Sequence, residues 1–174
     1  MTKAATHMER TKAYNAALLL QTEELLAQLS DDDLAAPRGL LFGSSIGQHL
    51  RHIIEYYGLL LSQHPPGVTN YDKRQRDRRI ETDVAHARDS IGRCVGLMSM
   101  LRADGPLVLE SELPGDDAAV RQNTSLLREL TYVADHCVHH LAMVRIIVEQ
   151  DLPHVCFPEE LGVAAATPHH RARG

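Results

Sequence analysis

The sequence predicts an all-α protein built as a bundle of four long helices, and three observations carry that expectation. Apolar residues recur at three- and four-residue spacing in four separate segments. Clusters of Pro, Gly, Ser or Asp separate those segments. The chain has 174 residues, enough for one domain with a sizeable core.

The first helix is expected from Ala4 to Leu29, with Leu18, Leu19, Leu25 and Leu29 on its apolar side. The run SDDDLAAPRG breaks it. SSIGQHLRHIIEYYGLLLSQH is the second helix, with Ser44 or Ser45 as N-cap, and PPG stops it. The third is expected to start near Tyr71 to Lys73 and to run to Leu101, where ADGP ends it. Leu107 and Leu109, then Glu110 and Glu112, alternate ahead of Pro114-Gly115-Asp116, which predicts a short β-hairpin between helices three and four. Thr124 or Ser125 caps the fourth helix, which continues to Gln150, and Glu129 near its start suits the helix dipole. Residues 1–152 then form one helical domain, and 153–174 an irregular tail with a mobile, basic end.

Composition excludes several classes of function. Aromatic residues are 4% of the chain and Trp is absent, which argues against a stacking platform for single-stranded nucleic acid. A formal net charge of −5 gives no electrostatic reason for a DNA or anionic-membrane partner. Cys94, Cys137 and Cys156 have no Cys-x-x-Cys spacing and no even pairing, so a reducing compartment is expected. The start lacks signal-peptide organisation, and no uncharged apolar stretch is long enough to span a bilayer. A cytoplasmic protein is expected.

The chemistry is concentrated in histidines. DHCVHH, residues 135–140, lies inside the fourth helix. At about 100° per residue, Leu130, Val133, Cys137, Leu141, Val144 and Val148 form the core stripe. His140 falls inside the border of that stripe, His136 lies at its edge, and His139 points away. His136 and His140, one turn apart, can aim both rings at a common point, a spacing suited to a metal ion. Two hydrogen-bonded histidines with Cys137 as filler would satisfy the same spacing. The second helix adds His49 and His52. Three neutral imidazoles plus water is how an open catalytic zinc site is built, and nickel or iron would accept the same ligands. His-Glu-x-x-His and Glu-x-x-His are both absent, which excludes a zincin pattern and a di-iron carboxylate bundle.

SIGQHLRHIIEYY and DHCVHHLAMVRII resemble the motifs of the DinB/YfiT-like family of four-helix-bundle metalloenzymes. In that family a Ser-Ile-Gly helix start leads to a His ligand followed by an apolar residue, as Ser45 leads to His52 and Ile53. A later helix supplies two ligands, matching His136 and His140. NYDKRQRD and EELGVAAATP also look like segments of one branch. The resemblance implies an up-down-down-up DinB-like bundle, a divalent metal such as zinc or nickel, and often a homodimer. It also implies a small-molecule substrate and a low-molecular-weight thiol, since characterised members include thiol-dependent S-transferases and a maleylpyruvate isomerase. His49 is a departure from the pattern and stands as the alternative to His52, which is preferred because Ser45 anchors the alignment.

Among the other residues, Cys137 reads as a buried structural thiol. Glu129 reads either as an acceptor for a ligand N–H or as a solvated partner of an Arg. Tyr56 and Tyr57 read as core-edge aromatics. DKRQRDRR, residues 72–79, places cations near an expected helix start, where they oppose the dipole. Pairing with Asp72, Asp77 and Glu81 would compensate, or Arg74 or Arg78 could grip a substrate carboxylate. His64, His86, His154, His169 and His170 read as surface residues. The expected function is a metal-dependent thiol transferase or hydrolase; the alternative is a non-catalytic, stress-related binding module.

Overall fold

The computed structural model describes residues 6–63, 65–115 and 119–164. Five α-helices and a small three-stranded sheet alternate along it. Helix α1 is His7–Leu26, capped by the Thr6 side chain. Ala4 and Ala5 of the expected first helix lie outside the described residues. The helix stops at Leu26 rather than Leu29 because Ser30 opens a new one, α2, Asp31–Ala35, through a capping box with Asp33. Helix α3, Ile46–Ser62, starts from Ser45, whose hydroxyl accepts from Gln48 N while the Gln48 side chain returns to Ser45 N.

Strand β1, Gly67–Thr69, follows α3 and is absent from the sequence expectation. Three residues are too few for period-two alternation to show. β1 pairs in parallel with β2, Pro106–Ser111, and β2 pairs antiparallel with β3, Val120–Ser125, as the expected hairpin. Asp116 of its expected turn lies outside the described residues.

The third long helix, α4, is Val84–Met100, so its expected start near Tyr71 is corrected. Two carboxylates explain the difference. Asp77 caps a 3-10 turn at Arg78–Glu81, and Asp83 caps α4 by accepting from His86 N. Ahead of them the Asn70 side chain accepts from Asp72 N and Lys73 N, a turn rather than a helix start. The whole basic run therefore precedes α4, and the expected conflict with its dipole does not arise. Helix α5, Leu126–Asp151, starts from Ser125.

Helix α1 packs against α4 and α5, and α3 packs against the same two helices. Leu19, Leu26, Leu50, Leu60, Leu130 and Leu141 are fully buried between them. Every residue of the expected α5 stripe is buried. A buried polar pair crosses this core, Tyr57 Oη donating to Asn15 Oδ1 at 2.8 Å. Two close approaches require glycine. At Gly47 a Cβ would run into the backbone of Glu81, and at Gly162, with φ of +69°, into the backbone of Ala142. Residues 153–164 carry no helix or strand, yet Leu161 is buried and Arg145 Nη1 donates to Glu159 O at 2.6 Å. The basic end from 165 on, with His169 and His170, lies outside the described residues, as does His64. Among the described residues no helix is long and apolar enough to cross a membrane.

Candidate metal centre

Helices α3 and α5 bring four imidazoles together. His52 Nε2 lies 2.8 Å from His136 Nε2, and His49 Nδ1 lies 2.9 Å from His140 Nδ1. One ring nitrogen from each of His52, His136 and His140 falls within 4.8 Å of the other two, and all three residues are half-buried. The ring centroids of these three are 4.6 to 4.9 Å apart. His139, as the helical wheel predicts, is exposed.

Burial sets the charge state. Loss of solvent, reinforced by the Arg74 cation, pushes His52 down to about 4. Burial and then the neighbouring His136 and His52 push His140 down to about 3. His136 and His49 are lowered by burial first and by His139 next. All four rings are therefore neutral at pH 7 and have lone pairs to offer, the state a metal ligand needs. The same shifts couple stability to pH. Between the ordinary value of 6.5 and about 4 the unfolded chain binds protons that the folded His52 refuses, so stability rises with pH in that window. Acidification of metal-free protein from pH 7 to 4.5 is expected to lower Tm. Thermal melts should show a shallower pH slope in a His52→Ala, His140→Ala double variant, and an unchanged slope would contradict the assignment.

Two of the three converging rings have a polar partner on the second nitrogen, Arg74 for His52 and His49 for His140. His140 uses Nδ1 toward His49, which leaves Nε2 free to face an ion. His49 is thus placed behind His140 rather than in the His52 position. His49→Ala is expected to weaken zinc binding about 10–100-fold, the size of a supporting-residue effect, without changing stoichiometry. Equilibrium titration would check this, and a loss of well over 100-fold would place His49 among the ligands instead.

Tyr56 stacks on His136 at 4.8 Å between ring centroids and on Tyr71 at 4.6 Å, and Tyr132 stacks on the outer side of His136 at 5.8 Å. Arg74 caps this layer, with its guanidinium carbon 5.1 Å from the Tyr56 centroid. It donates from Nε to Glu55 Oε2 at 2.9 Å, from Nη1 to Tyr71 O at 3.0 Å and from Nη2 to His52 Nδ1 at 2.8 Å. Glu129 is fully buried and accepts from Tyr71, Thr124 and Arg128, so among the described contacts it touches no histidine. Its role is to hold the Tyr71 ring against the cluster. Arg78 is exposed and takes no part. Cys137 is buried, and desolvation pushes its thiol up to about 12, consistent with a structural residue. His154 is exposed, but the expected surface position of His86 is corrected: it is half-buried and pairs with Asp77 at 2.7 Å.

Tyr132 was accessible to sequence reasoning, since it sits four residues before His136 on one helix face. Tyr71 reaches the site only through the loop after β1, which helical periodicity does not describe, whereas Glu55 sits on α3 three residues after His52 and joins the site through Arg74.

The family model of the DinB superfamily matches residues 16–144, a span that contains all four histidines. The chain belongs to the DinB superfamily. It is also similar to FK506-binding protein 5 of Rhizopus delemar, with 33% identity over 108 residues. That match covers 59% of this chain and 27% of the fungal protein, so the DinB-superfamily chain spans little more than a quarter of that relative. No solved structure matches. The three-histidine cluster thus lies within the DinB-superfamily region, and the donor set suits a borderline divalent ion that accepts imidazole nitrogen.

Proposed function

We propose that the protein is a metal-dependent enzyme of four-helix-bundle architecture, with one divalent ion, zinc or nickel, held by His52, His136 and His140 and one coordination position open to a small-molecule substrate. The observation that carries this reading is the convergence of three neutral, half-buried imidazoles from two helices on one point. When bound, such an ion lowers the pKa of a coordinated water or thiol and so supplies a nucleophile near neutral pH. The resemblance to thiol S-transferases makes thiol transfer the favoured reaction class, with hydrolysis second. The protein's own groups supply orientation. His49 engages Nδ1 of His140 and leaves Nε2 for the ion, and the Tyr56–His136–Tyr132 stack fixes the plane of His136.

A cavity of about 500 Å³ opens beside His49, walled by Leu40, Phe42, Met143 and Ile146. Its lining suits an apolar substrate portion lying next to the reacting centre. Phe42 is fully exposed at its rim.

A specific observation favours the second reading, a non-catalytic helical module. The rings stand within hydrogen-bonding distance of one another in pairs, at 2.8 and 2.9 Å, and this contact by itself can satisfy their buried nitrogens. Elemental analysis of untagged protein, followed by chelation, separates the two. The enzyme reading expects one zinc or nickel per chain, and a chelated protein that keeps its helicity while Tm falls by a few degrees, because the leucine core does not depend on the site. Protein that takes up no stoichiometric metal when supplied with zinc and nickel would leave only the module.

A further inference from the structure

Arginine donates from every side-chain nitrogen and has no lone pair to offer. Arg74 Nη2 lies 2.8 Å from His52 Nδ1, so that nitrogen is the acceptor. In a neutral ring the proton then sits on Nε2, which faces His136 Nε2 at 2.8 Å. His136 accepts it, and the chain of donors from Arg74 through His52 to His136 is complete. This is the reverse of what a ligand requires. A histidine binding through Nε2 turns a lone pair toward the ion and keeps its proton on Nδ1, facing an acceptor. His140 differs, because its Nδ1 partner is His49, an imidazole that can accept as well as donate.

Arg74 is not a loose surface side chain. Its side chain is 7% exposed and that of its partner Glu55 is 5% exposed. Glu55 in turn accepts from Asp77 N at 2.7 Å, and Tyr71 O takes a second Arg74 donor.

We propose that Arg74, clamped by Glu55, is a lock on the metal centre: it holds His52 in the Nε2–H tautomer, and His52 becomes a ligand only when Nη2 withdraws and the ring proton moves from Nε2 to Nδ1. The inference rests on the metal-site reading and adds a regulatory step to it. Arg74 is a positioning residue here, acting through His52. The lock lowers affinity for the ion and makes loading dependent on whatever draws the guanidinium away, an anionic ligand being the matching chemistry.

The test uses the full chain, metal-free, with zinc as probe. In Arg74→Gln the side-chain oxygen can accept from Nδ1–H, and in Arg74→Met the donors are simply lost. Competition with a chromogenic chelator is expected to show about 10–100-fold tighter zinc binding in Arg74→Gln and a smaller gain in Arg74→Met, at one ion per chain in each. Nitrogen chemical shifts of ¹⁵N-histidine-labelled protein are expected to report His52 as Nε2–H in the metal-free parent and as Nδ1–H in Arg74→Gln. Unchanged or weaker zinc affinity in both folded variants overturns the lock while leaving the metal site standing. An Nδ1–H tautomer at His52 in the parent overturns it as well, whether or not the variants fold. Absence of zinc binding in the parent and in both variants overturns the lock together with the metal reading.

Discussion

Replacing His140 by Ala is expected to abolish stoichiometric binding of zinc or nickel, with affinity falling by well over 100-fold. The size follows from a comparison. A residue that merely supports a ligand is worth about 10–100-fold in affinity, and His140 is itself placed as a ligand. It also sits at the centre of the cluster, in ring contact with His49, His52 and His136. Folding should suffer little, because the ring is only half-buried and its neighbours Cys137 and Leu141 remain packed. The expected outcome is therefore a separation: helicity close to that of the parent by circular dichroism, and no bound metal by elemental analysis. A His140→Ala protein that binds zinc as tightly as the parent would remove the three-histidine site from consideration. His139→Ala, one position away and exposed, is expected to bind like the parent.

The largest expected effect on stability lies at a residue with no side chain. On propensity alone, Gly47→Ala in helix α3 should stabilise by up to about 1 kcal/mol. The opposite is expected, a loss of about 1–3 kcal/mol, the usual size of overpacking. The added Cβ would occupy the space of the Glu81 carbonyl, and because that neighbour is backbone it cannot turn aside. Relief requires α3 and the Arg78–Glu81 turn to part, which would also shift His49 and His52, about half a turn and one and a half turns further along α3. Gly58→Ala is the control on the same helix: its Cβ meets nothing within 4 Å, so propensity should prevail and stability should rise. Urea denaturation of the two variants would read opposite signs. Equal signs would show that the approach of Glu81 to α3 is not as tight as described.

Legibility in the sequence followed the range of the interactions. The starts of α3 and α5 were legible to within one residue, Ser44 or Ser45 and Thr124 or Ser125, because a helix cap is a contact over three residues; Ser45 and Ser125 are the caps. The pairing of His136 with His140, and the outward turn of His139, followed from helical geometry alone. The choice between His49 and His52 did not, because both lie beside the same face of α3. What distinguishes them is which partner each ring meets: His140 for one, His136 and Arg74 for the other. Those are contacts between segments far apart in the chain. The start of α4 was misplaced for a related reason. The loop that carries Arg74 is held by Asn70, Asp77 and Glu55, polar side chains whose partners a hydrophobic pattern cannot reveal.

His52 and His136 are 84 residues apart, and His49 and His140 are 91 apart. No fragment holding only one of the two helices can assemble the cluster, and an unfolded chain must close a very long loop before any two of the rings from different helices meet. The histidines therefore come together as a late product of folding rather than its seed, since local helical contacts form far sooner than contacts of this range. An ion taken up there would select the finished molecule from all its precursors, so that its arrival would mark the completion of the fold.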